Sequence, residues 1–197
     1  MLQPPTQRKH KVKQALILHG TDGKPDSNWF MWLKNLLEAR GYDVWVPLLP
    51  ENHTPNRRTY NEFIFSSGKD FSDGIVVGHS SGAVSVLNML MDPRCPKVRA
   101  AVMVGAWAHN EGTDLDREQF KDLFPEKGFD FEAIRSKAEH MLFLHGDDDP
   151  YCPIEQARWL AEQLQADIVV VPGGHHLGAK YNELPVLLES LEQRIML

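Results

Sequence analysis

Cysteine is scarce in this chain, and no apolar run is long enough to cross a bilayer. The 197 residues include two cysteines, Cys95 and Cys152, which lie far apart and lack the spacing of a metal site. This pattern is typical of a reducing compartment, so we expect a cytoplasmic protein in which both thiols are structural. A membrane-spanning helix needs about 18 or more apolar residues in succession, so we also expect no membrane association.

An excess of positive charge is also missing. The chain has 27 acidic and 21 basic residues and a net charge of −6. Proteins that bind nucleic acids normally present a basic surface, so we expect no nucleic-acid partner. The basic N-terminus has no apolar region behind it, which disfavours a secretory signal. Residues 1–12 are predicted to form a flexible basic tail, and residues 13–197 a single domain.

Short runs rich in β-branched residues alternate with segments of helical spacing. Several runs are apolar at consecutive positions, as strands buried on both faces must be. The predicted strands are Ala15–His19, Val44–Leu48, Gly74–Val77, Ala100–Val104, Met141–His145 and Ile168–Val171. Helical spacing of apolar residues covers 29–37, 84–91, 154–164 and 184–195. This alternation predicts an α/β fold in which a mostly parallel sheet carries helices on both faces. Ligands of such sheets bind beyond the carboxyl ends of the strands.

The segment Gly78-His79-Ser80-Ser81-Gly82 lies between a predicted strand and a predicted helix. This Gly-x-Ser-x-Gly pattern is that of the nucleophile elbow, in which the serine occupies a strained strand-to-helix turn. Side chains at the two flanking positions would collide with neighbouring backbone, which favours glycine there. A glycine-rich packing turn is the simpler alternative. We predict that Ser80 is a nucleophile.

A nucleophilic serine needs a base and an acid that orients the base. In this arrangement the acid and then the base follow the serine along the chain. Gly146-Asp147-Asp148-Asp149-Pro150 follows one later strand, and Gly173-Gly174-His175-His176 follows the next. Chain order alone leaves open which aspartate and which histidine act. A solvated acidic turn, a surface histidine pair and, more weakly, a divalent metal site among the aspartates are alternatives.

The chain resembles the short serine hydrolases of the α/β-hydrolase type that are related to retinoblastoma-binding protein 9 and YdeN. The matching segments span nearly the whole chain: Leu18-His19-Gly20, the stretch 28–33, the stretch 78–82, the stretch 146–153 and Gly174-His175. The resemblance implies Asp149 as the acid and His175 as the base, with His176 as a rival. It also implies a compact three-layer sandwich of about six strands, with no full cap domain and no cofactor or metal.

Stabilisation of a developing negative charge requires two N–H donors in an oxyanion hole. We expect one from the backbone of Ser81 and, by analogy with the superfamily, the other from Thr21, with Asp22 as the alternative. Four further residues are candidates for the substrate pocket: His19, Trp29, His79 and Trp107. For these, structural roles are the simpler interpretation. The stretch 107–131 is either a partial lid or an excursion that contains a short helix.

These residues predict a serine hydrolase that cleaves a small acyl ester, or a thioester or amide, through an acyl-serine intermediate. The expected partner is a small-molecule acyl substrate, and a protein partner is left open. The alternative is a catalytically weak protein-interaction module that retains the hydrolase fold. The chain has no Leu-x-Cys-x-Glu segment that would support that alternative.

Overall fold

A computed structural model of the chain describes residues 12–111, 113, 115, 116, 118–195 and 197. The predicted tail, residues 1–12, lies outside this part of the chain except for Val12. Within the described residues, strands and helices alternate in this order: β1 Gln14–Leu18, α1 Phe30–Glu38, β2 Asp43–Trp45, α2 Arg57–Ser66, β3 Ile75–His79, α3 Ser81–Met91, β4 Val98–Val104, α4 Phe131–Ser136, β5 Ala138–Gly146, α5 Ile154–Leu164, β6 Asp167–Val171 and α6 Pro185–Arg194.

The strands form one six-stranded sheet in the order β2-β1-β3-β4-β5-β6. Every neighbouring pair is parallel, which confirms the predicted α/β class. The chain reverses its direction of travel across the sheet between β1 and β3, because β2 and β3 lie on opposite sides of β1. Such a reversal opens a crevice at the carboxyl ends of the two strands, where ligands bind in open α/β sheets.

Two apolar layers cover the sheet, one on each face. Leu16 and Leu18 of β1 face a core that contains residues of α2, α3, α4 and α5. Ala15 and Ile17 of the same strand face a second core that contains residues of α1 and α6. Because side chains alternate along a strand, these consecutive apolar residues serve both cores, and the result is the predicted three-layer sandwich.

Besides shifts of a few residues at the ends of elements, the structure differs from the prediction in three respects. The strand predicted over Val44–Leu48 ends at Trp45, ahead of Pro47, which has no N–H to donate to a sheet, and of Leu48, which is 59% exposed. Helices α2 and α4 were not predicted. Helix α2 has two buried residues, Tyr60 and Ile64, which is too sparse a pattern to recognise.

The connection between β4 and α4 contains no helix or strand among the residues described there, so no cap domain covers the sheet. Trp107, Phe120 and Leu123 of this connection pack with Val84 of α3 and with Cys152 in a small separate apolar cluster. The connection therefore forms a wall beside the carboxyl end of β3. No helix in the described part of the chain is long and apolar enough to cross a membrane.

Candidate active site

Ser80 lies at the turn between β3 and α3, as predicted. Its backbone has φ 56° and ψ −126°, and its N–H donates to the carbonyl of Val104 at 2.8 Å. A positive φ is unfavourable for a residue with a Cβ, so the turn stores strain. The hydroxyl makes no capping hydrogen bond to the helix, and the residue is partly exposed. The hydroxyl is therefore not engaged by the helix and can be reached from solvent.

The glycines of the elbow allow backbone segments to pass unusually close to one another. A Cβ on Gly78 would lie 2.2 Å from the carbonyl oxygen of Gly82, and a Cβ on Gly82 would lie 2.4 Å from that of Leu18. At Gly20, after β1, a Cβ would lie 2.8 Å from the Cβ of Ser80. The glycine pattern that singled out Ser80 thus has a direct steric cause.

Asp149 pairs with His176 and not with the preceding histidine, His175. Nδ1 of His176 lies 2.7 Å from Oδ2 of Asp149, with the aspartate side chain fully buried and the histidine side chain 18% exposed. The predicted base, His175, instead places Nδ1 2.7 Å from Oδ2 of Asp148, and these side chains are 53% and 42% exposed. The prediction that Asp149 orients His175 was wrong, and the pairing belongs to its neighbour.

Backbone conformation explains why the inner position falls to His176. His175 has φ 50°, which turns consecutive side chains in different directions. Its backbone also packs against β5, because a Cβ on Gly146 would lie 2.1 Å from the carbonyl oxygen of His175. With the His175 backbone pressed against the strand end, its side chain lies outside and that of His176 lies inside.

The carboxylate of Asp149 is held by donors on both oxygens. Oδ1 accepts the N–H groups of Tyr151 and Cys152 at 2.9 and 3.0 Å, and Oδ2 accepts from His176. Burial by itself would raise the pKa of Asp149, but the hydrogen bond and positive charge of His176 and these two N–H donors outweigh it and lower the pKa. Asp149 is therefore a carboxylate at neutral pH, suited to fix the tautomer of His176.

The three consecutive aspartates do not converge on one point. Oδ1 of Asp147 accepts the N–H of Gly173 at 2.8 Å, and Oδ1 of Asp148 accepts the N–H of His175 at 2.7 Å. Each aspartate thus binds a different group, and the metal site considered for this run of acids has no support in the geometry.

A buried histidine that the sequence did not single out lies beside the acid. Nε2 of His145 donates to the carbonyl of Cys152 at 2.8 Å and lies 3.5 Å from Oδ2 of Asp149. Burial lowers the pKa of His145, so the ring is neutral. His145 therefore connects the loop after β5, which carries Asp149 and Cys152, to the end of that strand. Its place directly before the acid loop was the signal available in the sequence.

Four residues were predicted from the sequence to line a substrate pocket. Two of them line the cavity that opens beside Ser80, and two do not. His79 and Trp107 line it. His19 and Trp29 are fully buried behind it, which corrects their assignment. His19 donates from Nδ1 to the carbonyl of Gly20 at 2.7 Å and accepts the N–H of Leu49 at 3.0 Å. Its role is to hold the loop after β1.

Trp29 and His79 form hydrogen bonds to the backbone of the loop after β6, which carries His176. The indole N–H of Trp29 donates to the carbonyl of Leu177 at 2.8 Å. Nε2 of His79 donates to the carbonyl of His176 at 2.8 Å. Burial, followed by the positive charge of His176, lowers the pKa of His79 to about 3, so His79 is neutral and unsuited to act as a base.

Two backbone N–H groups are available near Ser80 to bind an oxyanion. Ser81 is the first residue of α3, where N–H groups have no acceptor within the helix. In the loop after β1, the N–H of Asp22 already donates to the carbonyl of Asn52 at 3.2 Å, whereas the N–H of Thr21 has no acceptor among the described residues. Oγ1 of Thr21 donates to Oγ of Ser81 at 2.9 Å, which joins the two segments. The geometry favours Thr21 over Asp22.

A cavity of about 580 Å³ opens beside Ser80 and is lined by both His175 and His176. One side comes from the β4–α4 connection and is mainly apolar; it includes Trp107, Leu115 and Phe120 together with Gln119. The other side is more polar and includes Asn28, Lys180 and Tyr181. Ser80, both histidines and Thr21 therefore share one solvent-accessible cavity with two chemically different walls.

Comparisons with known proteins identify the family and the fold of the chain. The family profile described as "Serine hydrolase" matches residues 15–193. The chain is similar to "Putative hydrolase YdeN" of Bacillus subtilis, with 26% identity over 91% of this chain and 95% of that protein. It is also similar to "Serine hydrolase RBBP9" of Rattus norvegicus, with 22% identity over 90% of this chain and 95% of that protein. The crystal structure of the B. subtilis ydeN product superposes with a TM-score of 0.80 at 22% identity, covering 92% of this chain and 98% of that one.

Proposed function

Because the chain belongs to the serine hydrolase family, we propose that it hydrolyses a small acyl ester through an acyl-serine intermediate. Ser80 is the nucleophile, His176 the general base and Asp149 the acid that orients the base. The observation that carries the proposal is the buried Asp149–His176 pair, which opens onto the same cavity as the strained, uncapped Ser80.

The mechanism follows from the donors and acceptors present. Asp149 accepts the Nδ1 proton of His176, so Nε2 is left unprotonated and takes the proton of the Ser80 hydroxyl as Oγ attacks the acyl carbon. The N–H groups of Ser81 and Thr21 stabilise the oxyanion of the tetrahedral intermediate. His176 then protonates the leaving alcohol. A water molecule, deprotonated by the same nitrogen, attacks the acyl-enzyme, and the acid product leaves as Ser80 regains its proton.

The cavity supports a small substrate. Its volume of about 580 Å³ lies within the range of roughly 300–1,000 Å³ common for small-molecule sites. The apolar wall at Trp107, Leu115 and Phe120 suits an acyl chain, and the polar wall at Asn28 and Lys180 suits the leaving group. Thioesters and amides would use the same steps. The cytoplasmic location stays a prediction.

Covalent labelling of Ser80 tests the proposal. A fluorophosphonate reagent should modify the wild-type protein and not the Ser80→Ala variant. Exposed Ser66 provides the control: Ser66→Ala should label as the wild type does. Turnover of p-nitrophenyl acetate should follow the same pattern. A folded wild-type protein that neither labels nor turns over this ester would refute the proposal and favour a non-catalytic binding module.

A further inference from the structure

The pair of Asp149 and His176 has a third neighbour with metal-binding chemistry. A carboxylate oxygen of Asp149, Sγ of Cys152 and a ring nitrogen of His176 all lie within 4.8 Å of one another. Tetrahedral Zn²⁺ with ligand bonds of about 2.0–2.3 Å needs ligand atoms roughly 3.3–3.8 Å apart. Small side-chain rotations would bring the three atoms to that separation.

We propose that Asp149, Cys152 and His176 form an inhibitory binding site for Zn²⁺ and similar thiophilic cations. Carboxylate, thiolate and imidazole are the three ligand types that Zn²⁺ takes in proteins. Cys152 and His176 also line the cavity beside Ser80, so an ion can reach them from solvent, and a water molecule in the cavity can complete the coordination.

Charge balance favours occupation of this buried position. Cys152 is 1% exposed, and the Asp149 side chain is fully buried. On binding, Sγ–H breaks, the proton leaves to solvent and the metal–sulfur bond forms. The two charges of the cation are then matched by one thiolate and one carboxylate, so the buried site becomes neutral overall.

Inhibition follows from the tautomer of His176. Nδ1 now carries the proton that Asp149 accepts at 2.7 Å. A cation bound at Nδ1 displaces this proton, and Nε2 takes up a proton through solvent in its place, so the ring stays neutral with its hydrogen on Nε2. Nε2 is the atom that must accept the proton of Ser80, so the metal-bound enzyme has no base. This consequence rests on the proposed function, whereas binding of the metal does not.

The test separates binding from inhibition. Cd²⁺ added to the Ser80→Ala variant should give the ultraviolet thiolate-to-cadmium absorption with one ion per chain, and Cys152→Val should abolish it. Cys95 is buried elsewhere in the core and is the matched control, so Cys95→Ser should keep the absorption. Absence of the signal, or its loss with Cys95→Ser alone, would overturn the proposed site.

Inhibition is measured on active enzyme with p-nitrophenyl acetate, each variant relative to its own metal-free rate. Zn²⁺ should inhibit the wild type, EDTA should restore the rate, and Mg²⁺ should have no effect. Cys152→Val should weaken inhibition at least about tenfold, since even outer-shell partners of a metal are worth 10–100-fold. Equal inhibition of both proteins would refute the inference. An inactive protein that still binds Cd²⁺ through Cys152 would refute the proposed function alone.

Discussion

Replacement of His175 and His176, one at a time, should give opposite outcomes if the buried Asp149–His176 pair carries the reaction. Loss of His176 removes the base and leaves the buried carboxylate of Asp149 without its partner. Removal of one member of a serine–histidine pair lowers kcat by about 10⁴–10⁶ in well-studied hydrolases, which corresponds to roughly 5–8 kcal/mol of transition-state stabilisation. We expect His176→Ala to lose activity on this scale.

His175→Ala should have a much smaller effect. Its contact with Asp148 is between side chains that are 53% and 42% exposed. Such surface pairs contribute at most about 1 kcal/mol, so the loss should not exceed about fivefold. The assay is steady-state hydrolysis of p-nitrophenyl acetate, with urea unfolding to verify that each variant is folded. A folded His176→Ala enzyme that keeps a tenth or more of wild-type kcat would refute the assignment, and so would a larger loss with His175→Ala.

Two further predictions concern stability. Burial lowers the pKa of His79 to about 3. Below about pH 6.5 the unfolded chain therefore binds a proton at His79 that the folded chain does not bind. The free energy of unfolding should then fall as pH falls, by at most about 1.4 kcal/mol per pH unit. Urea unfolding at pH values from about 7.5 to 5 should give a shallower pH slope for His79→Gln than for the exposed-residue control His140→Gln, and equal slopes would contradict the linkage. Gly82→Ala would place a Cβ 2.4 Å from the carbonyl oxygen of Leu18 and should destabilise the protein by several kcal/mol. Gly68→Ala, at φ 71° with open space around it, should cost only about 1–2 kcal/mol, so similar melting temperatures for the two variants would show that the steric reasoning is wrong.

Elements with a strong apolar pattern were predictable from the sequence. Strand β3 is buried at every residue and was evident as an apolar run. Helix α3 is buried at every residue from Ser81 to Leu90 and was evident from the helical spacing of its apolar residues. Helix α4 has six residues and one buried side chain, which leaves no recognisable period. The length of the apolar pattern therefore decided which elements could be found.

The candidate site was predictable to the level of its loops but not to the level of every side chain. The position of Ser80 follows from a local steric rule that the flanking glycines record. The choice between His175 and His176 depends instead on a positive φ at His175, which the β5 strand end stabilises by close backbone contact. The choice between the N–H groups of Thr21 and Asp22 likewise depends on the distant carbonyl of Asn52, which accepts from Asp22. Such tertiary contacts leave no pattern in the sequence.

The close backbone contact between Gly146 and His175 has a consequence for how the enzyme can diversify. The loops that carry Asp149 and His176 meet with no side chain between them, so a shift of one would press on the backbone of the other. Adaptation to new substrates would therefore fall on the opposite wall, where Leu115 and Phe120 belong to a connection without helix or strand among its described residues. Libraries of variants for altered substrate preference are best directed to that wall, with Ser80, Asp149 and His176 left unchanged.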